Sequence, residues 1–433
     1  MKLQTTFRLK EDFLLKLVLY AFSIILLLSG KVMWNYVTVA IGGHMQLWLY
    51  LGLALCGVIF FMICKNVSEK TLLVTMACTL ILCMYALIVG ADIKKHLVYY
   101  IIPFIFYIFI ACELIRAKKM TAFLQCFSNV IVILAAFSIF FWFFGSLLNI
   151  VPGRTRMTYL WAERHNPTFT YYMLYFENPV QATIMMGREI PRNTGFCPES
   201  PGYSSHLVYA LVIEALYFKN KNKWKTAILI LAILSSLSTK GLFFLMEYFL
   251  LSYLFTQRKK VWWKQLLVFF GGVLILAGVI FASSFIMEEK SNTGSYSVRS
   301  DDIRAELLTW LEHPIFGIGL YDSSEIIAKF RVYRPNSGLS MGLTAFMAQG
   351  GIYMIAMYFF PPLYIFLRIK DKETRNRFII AFVMVITDFV LSMVQNVPYF
   401  MFLIAVLYGE MVYMMPGKGP ALKEYVDKLR IRH

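Results

Sequence analysis

Gln46-Leu-Trp-Leu-Tyr-Leu-Gly-Leu-Ala-Leu-Cys-Gly-Val-Ile-Phe-Phe-Met-Ile-Cys64 carries no Asp, Glu, Lys, Arg or His. An apolar run of this length spans the roughly 30 Å hydrocarbon core of a bilayer when helical. The helix is the form in which a single segment satisfies its own backbone polar groups there. Working outward in both directions, comparable runs occur at about 13–30, 71–90, 97–114, 124–149, 202–218, 225–239, 241–257, 265–285, 341–367, 378–395 and 398–415. The sequence therefore predicts an all-α polytopic membrane protein of about twelve transmembrane helices, with residues 1–433 as a single membrane domain. Composition agrees: 59% of residues are hydrophobic and 15% charged, where a soluble domain would carry roughly 25% charged residues.

The formal charge of +17 first invites a nucleic-acid reading, but its distribution argues otherwise. With the N-terminus inside, 26 of the 42 lysines and arginines fall in segments on the inner side of the spans, and 15 on the outer side. That is the positive-inside bias, which places both termini in the cytoplasm and accounts for the basicity without a nucleic-acid partner. The polar lead Met1 to Asp12 is followed by no small-residue cleavage site, so the first run reads as a retained span rather than a signal peptide. Of seven cysteines, Cys197 alone falls in an outer loop, which leaves no disulfide framework. There is no CxxC, HExxH, EF-hand loop or P-loop, so neither a metal nor a nucleotide cofactor is expected.

Two outer loops, about 150–201 and 286–340, are long, and long irregular stretches are uncommon unless they carry function. The first ends in Arg192-Asn-Thr-Gly-Phe-Cys-Pro-Glu-Ser-Pro-Gly-Tyr203. Arg192 offers a planar fork suited to phosphate or carboxylate, and Glu199 sits where its charge complements a helix dipole. The plainer alternative is a capped helix start with Arg192 and Glu199 paired to each other. The second loop holds Arg299, Asp301, Asp302, Arg304, Glu306, His313, Asp322, Glu325, Arg331 and Arg334; its plainer reading is a solvated loop with internal ion pairs. Within it, Ile303, Leu307, Leu308 and Leu311 recur at helical spacing, opposite Arg299, Asp302 and Glu306. This predicts a short amphipathic helix on the membrane surface, ending near Pro314. Lys240 lies in Ser238-Thr-Lys-Gly241, a polar break between two apolar runs, where a lysine also simply snorkels to the interface. Glu214 and Glu410 fall near inner helix ends, where they are expected to reach water. Glu247 and Asp388 lie deeper, where ionisable groups are costly and pair with other groups or relay protons.

The second half resembles the O-antigen polymerase and ligase superfamily, the integral membrane enzymes that join glycans carried on undecaprenyl pyrophosphate. Ser238-Thr-Lys-Gly241 sits where that family has a Ser-Arg-Gly turn. Arg299, Trp310 and His313-Pro-Ile-Phe-Gly-Ile-Gly-Leu320 resemble its arginine, tryptophan and Pro-hydrophobic-Gly-x-Gly signature. Asn336-Ser-Gly-Leu339 followed by Gly350-Gly351-Ile352 is similar to its His-Asn-x-x-Leu and Gly-Ile end, and Arg192 to Tyr203 resembles the Arg-x-x-Gly-Phe-x-x-Glu-Pro-Gly stretch of many polymerases. Lys240 replaces the family arginine, and Pro335 stands where many members have histidine; the latter departure leans toward a polymerase rather than a ligase.

The resemblance implies a GT-C-like glycosyltransferase of the Wzy type in a bacterial cytoplasmic membrane. It would build O-antigen or capsular polysaccharide from undecaprenyl-pyrophosphate-linked repeat units, alongside a chain-length regulator. A ligase passing the glycan to another acceptor is the close alternative, and a lipid-linked sugar flippase the alternative without chemistry. Arg299, Lys240 and Arg192, with Arg304 in reserve, would stabilise the departing pyrophosphate. Glu199 and then Asp322 are candidate bases, while Asn336, Tyr321 and His313 would bind sugar or support the site. These assignments assume that the distant segments meet in one cationic cradle.

Overall fold

The computed structural model describes residues 2–40, 42–43, 45–64, 67–90, 92–161, 164–179, 182–185, 188–217, 222–256, 295–332 and 338–414. It is mostly helical. The apolar runs become α1 (Lys2–Leu28), α2 (Met33–Ala40), α3 (Met45–Cys64), α4 (Glu69–Val89), α5 (Ile93–His96), α6 (Ile102–Arg116) and α7 (Met120–Phe140). After a strand-bearing segment follow α8 (Ser200–Val212), α9 (Lys223–Ser235), α10 (Thr239–Thr256), α11 (Ser295–Glu312), α12 (Ser324–Ala328), α13 (Gly342–Arg368), α14 (Lys372–Leu391) and α15 (Pro398–Tyr413). Every expected span falls on a helix except 265–285, which lies outside the described residues. Five helices among the described residues are long and apolar enough to cross a membrane, or six if Phe13–Leu28 and Met33–Ala40, bent by 62°, count as one broken span. The protein is thus a helical membrane protein, though fewer than twelve helices meet that criterion. A helix such as α9, at 13 residues, is shorter than the roughly 20 residues a full crossing needs.

The outward faces of α3 and α4 explain why these sequences need lipid. Leu47, Trp48, Leu51, Leu55, Val58 and Met62 are exposed on one helix, and Leu73, Met76, Leu80 and Leu87 on the next. An uncovered apolar surface of that extent is not sustained by a monomer in water.

The chain divides into two compact units. In the first (1–74, 106–242 and 397–433), Phe22 of α1, Phe123 of α7 and Phe402 of α15 meet with ring centroids 4.9–5.7 Å apart, the edge-to-face and tilted geometry that aromatic quadrupoles favour. Glu214 does not reach water as expected. It is buried, accepts from Ser128 Oγ at 2.7 Å and pairs with Lys225 at 3.2 Å, so its charge is met inside the helix bundle; Glu410 is buried too.

Within this mostly helical unit, the segment that the sequence assigns to the first long loop carries strands. Arg154–Trp161 (β1), Arg164–Tyr171 (β2) and Tyr175–Glu177 (β3) form an antiparallel sheet, and Ala182–Met185 (β4) pairs with Arg188–Pro191 (β5). The reason is period-two patterning. Met157, Tyr159 and Trp161 project to one face of β1 and pack with Met33, Val37, Trp34 and Tyr36 of α2.

The second unit (75–105 and 243–396) is organised around α13, which breaks inside the helix. Gly351 has φ 60° and ψ −168°, a conformation that glycine adopts without steric cost. Ahead of it, α11 spans Ser295–Glu312, ending before Pro314 as expected. Asp301, Asp302 and Glu306 are buried, while Leu308 and Leu311 are exposed. The helix presents its apolar side outward and holds the protein with its acidic side.

Candidate functional site

In the first unit, Arg192–Glu199 forms a backbone plug. The Asn193 amide donates to Ser235 Oγ at 2.8 Å and its carbonyl accepts from Gly195 N at 2.9 Å. Thr194 Oγ1 donates to Phe176 O, Phe176 N to Gly195 O and Met33 N to Phe196 O. Gly195 has φ 56°, and a Cβ there would lie 2.4 Å from the Tyr203 ring. Phe196 is fully buried, stacked on Trp34.

The charged groups stand at the margin of this plug. Glu199 is the N-cap residue of α8, yet its carboxylate accepts no capping bond. Lys240, at the start of α10 just after the 236–238 break, donates to Ser205 Oγ at 2.6 Å. Both act on Cys197: burial pushes its thiol well up, the Glu199 carboxylate adds to that rise, and Lys240 opposes it. Cys197 Sγ lies 3.6 Å from His206 Nδ1, so the pair is a buried thiol beside an imidazole rather than a thiolate nucleophile. Arg192 donates through Nε to Thr183 Oγ1 of β4, and partial burial lowers its pKa. The ion pair with Glu199 does not form among the described residues; β4, unrecognised in the sequence, takes the guanidinium instead.

In the second unit, the acidic face of α11 gathers irregular backbone. Asp301 accepts from Arg304 at 2.9 Å and from the amides of Arg331 and Val332 at 2.9 and 3.1 Å. Asp302 accepts from the Ser340 amide at 3.1 Å and from its hydroxyl, and Glu306 from the Thr344 hydroxyl. Arg304 also donates to Lys329 O, so this guanidinium is engaged within the fold rather than held in reserve for pyrophosphate. Arg299 is different. It is exposed and has no hydrogen-bond or ion-pair partner among the described residues.

His313–Leu320 explains the break in α13. Ile318 N and Gly319 N donate to Ala348 O and Gln349 O, at 3.0 and 2.9 Å. Pro314 O and Ile315 O accept from Ile352 N and Tyr353 N, both at 2.9 Å. The loop thus takes the backbone groups that the broken helix frees, as buried N–H and C=O groups require. A Cβ on Gly317 would sit 2.4 Å from Gln349 O, and one on Gly351 2.3 Å from Ile315 O. Two sequence motifs more than thirty residues apart are one splint.

Around it, Asp322 accepts from Ser324 N and Oγ at 2.9 and 2.8 Å, which orders the start of α12. His313 Nε2 lies 3.0 Å from Glu325, both half-exposed. Glu312, His313 and Glu325 gather their polar atoms within 4.8 Å of one another, with Lys329 on Glu312. Tyr321 adopts a positive φ of 67° and donates to Tyr99 O at 2.9 Å. Pro103, four residues beyond Tyr99, has no N–H to offer that carbonyl. Asn336 lies outside the described residues. Two residues that the sequence reading passed over, His96 and Gln349, are brought to Tyr321 and Asp322. The available signal was the polar turn Asp92-Ile-Lys-Lys-His96, between two spans on the face assigned as outer.

No protein-family model matches the chain, and no curated protein matches it.

Proposed function

We propose that this chain is a glycosyltransferase that polymerises lipid-pyrophosphate-linked oligosaccharide repeats at the outer face of a bacterial cytoplasmic membrane, with the twelve-span, GT-C-like architecture the sequence resemblance implies. The observation that carries the reading is the splint. The His313–Leu320 and Gly350–Ile352 elements of the resemblance form a single backbone-paired unit, which presents Tyr321 and Asp322 at its end.

In this reading the acceptor hydroxyl oxygen attacks the anomeric carbon of the donor sugar. The carbon–oxygen bond to the pyrophosphate breaks, the lipid pyrophosphate leaves with the electron pair, and a carboxylate takes the hydroxyl proton. Glu199, whose carboxylate makes no capping bond, is the first choice for that base and Asp322 the second. Lys240 and Arg192 belong to the same unit as Glu199, and Arg299 to the same unit as Asp322; within its own unit each set would supply positive charge as the leaving group gains negative charge. Arg299 is the foremost of these because no partner among the described residues competes for its guanidinium.

A flippase is disfavoured by the same splint. Transporters use broken helices to offer freed backbone groups to substrate or ions, whereas here the loop already takes them. A chromosomal deletion complemented by variants tests the proposal, with glycan chain length as the readout. Arg299→Ala should leave glycans of a single repeat with normal protein in the membrane. Long chains held on the lipid carrier would indicate a ligase, and single repeats trapped on the cytoplasmic side a flippase.

A further inference from the structure

We propose that His96 and Gln349 form a subsite for the hydroxyl groups of a sugar, an inference that rests on the glycan reading and adds two residues to it. Both side chains are almost fully buried, with 2% and 3% of their surface exposed. Each has one polar atom bonded and one without a partner among the described residues: His96 Nε2 and Gln349 Oε1.

Their chemical character follows from the bonds they do make. His96 Nδ1 lies 2.9 Å from Asp92 O. A carbonyl only accepts, so Nδ1 carries the hydrogen, and in the neutral imidazole Nε2 then presents a lone pair. Gln349 Nε2 donates to Asp322 O at 2.9 Å, which fixes the amide orientation and leaves Oε1 as the second bare acceptor. A buried acceptor without a donor costs free energy, and this fold places two around the same side chains. Tyr85 donates to Gln349 O at 2.9 Å, while its ring lies 6.2 Å from the His96 ring. Tyr321, next to the Asp322 that holds Gln349, stands edge-on to His96 at 6.5 Å.

Two bare acceptors call for a ligand rich in hydrogen-bond donors, and the aromatic walls narrow the class. The hydroxyls of Tyr85, Tyr321 and Tyr353 all donate to backbone carbonyls. The rings are therefore held in place, and ring faces with nearby acceptors suit a polyhydroxylated sugar. Tyr321, strained at positive φ, is the side chain that must turn aside to admit it, in keeping with the clustering of such strain at ligand clamps.

Purified full-length protein in nanodiscs provides the test. Its ligands would be the lipid-linked repeat extracted from the deletion strain and undecaprenyl pyrophosphate bearing no sugar. His96→Asn keeps a donor for Asp92 O and removes the Nε2 acceptor, His96→Gln restores an acceptor there, and Gln349→Met removes Oε1. The wild type should bind the repeat more tightly than the bare carrier. His96→Asn and Gln349→Met should each weaken repeat binding about tenfold, the loss of one hydrogen bond to the ligand, and leave carrier binding unchanged. His96→Asn should also leave the melting temperature unchanged, with repeat binding largely retained in His96→Gln. Gln349→Met, which also loses the bond to Asp322 O, should lower the melting temperature. Repeat binding at wild-type strength in His96→Asn and Gln349→Met overturns the subsite alone, and so does a loss of repeat and carrier binding together. A wild type that prefers no sugar-bearing ligand overturns the glycan reading and the subsite with it. If one variant fails to reach the membrane, the other decides.

Discussion

The plug at Arg192–Glu199 and the splint at His313–Leu320 both hold irregular backbone inside a helical membrane protein, but they do so with different materials. The plug is closed in large part by side chains: besides the backbone bonds to Gly195 O and Phe196 O, Asn193 and Thr194 bond to the backbone and hydroxyls of neighbouring elements, and Phe196 fills the space between Trp34 and Tyr203. The splint is closed almost entirely by backbone meeting backbone, with glycines where a Cβ would intrude. A side-chain closure yields by small rotations, whereas a backbone closure has nothing to rotate. The splint should therefore tolerate substitution less, and it is the splint that ends in side chains with unmatched acceptors.

The largest effects should come from the glycines that make this contrast. Gly351→Ala and Gly317→Ala each force a left-handed φ on a residue with a side chain, at about 1–2 kcal/mol, and add overpacking of about 1–3 kcal/mol. Together these should cost about 2–5 kcal/mol, read as a large fall in melting temperature in detergent. Gly195→Ala shares the positive φ but meets the edge of a tyrosine ring rather than backbone, so its fall should be smaller. Gly338→Ala, with nothing within 4 Å of the added Cβ, should change little. Equal losses in Gly195→Ala and Gly351→Ala would erase the distinction between plug and splint.

Asp302→Ala should come next. It strands the Ser340 amide and hydroxyl just before α13, at about 1–3 kcal/mol for a buried group left unpaired. Thermal melts should show that loss, while Asp302→Asn, which keeps one acceptor oxygen, should recover part of it.

The helices were legible because the bilayer demands long apolar runs, and α3 and α4 match the expected bounds to within about two residues. The sheet was not, since Arg154, Arg156 and Arg164 made the segment read as a polar loop. The alternation of Met157, Tyr159 and Trp161 became meaningful only with α2 beneath it. The inward acidic face of α11 was hidden for a similar reason: periodicity showed that Asp302 and Glu306 share a side, but not that α13 lies on it. Candidate charges were legible as residue types, whereas their engagement was not. Arg304 and Arg192 are both bonded within the fold, whereas Arg299 has no partner among the described residues. His96 escaped notice because the rest of its turn, Asp92 to Lys95, is exposed, while the imidazole alone is buried, with the rings of Tyr85 and Tyr321 nearby.

The plug has its own pH signature. Burial and the Glu199 charge hold the Cys197 thiol neutral well above its ordinary range, whereas in an unfolded chain it ionises near pH 8.5. A raised native pKa means that the stabilisation is complete below that pH and is lost as pH rises, at about 1.4 kcal/mol per unit. Between pH 8.5 and 10 the wild type should therefore lose about 2 kcal/mol relative to Cys197→Ala, measured as the difference between their melting curves. Parallel curves would show that the thiol is not sequestered in the plug.

The smallest effect should come from the rim of the splint, where side chains meet in water. His313 and Glu325 are about half-exposed, and exposed ion pairs contribute roughly 0–1 kcal/mol because solvent screens them and ordering two side chains costs entropy. Glu325→Gln should thus shift the melting temperature by less than any of the destabilising changes above, although it touches the most conspicuous titratable residue of the His313–Leu320 motif. The comparison that matters is with Gly317, four residues along the same loop. If Glu325→Gln destabilised the protein as much as Gly317→Ala, the loop would be held by its polar rim. The backbone pairing with Ala348, Gln349, Ile352 and Tyr353 would then no longer account for the break in α13.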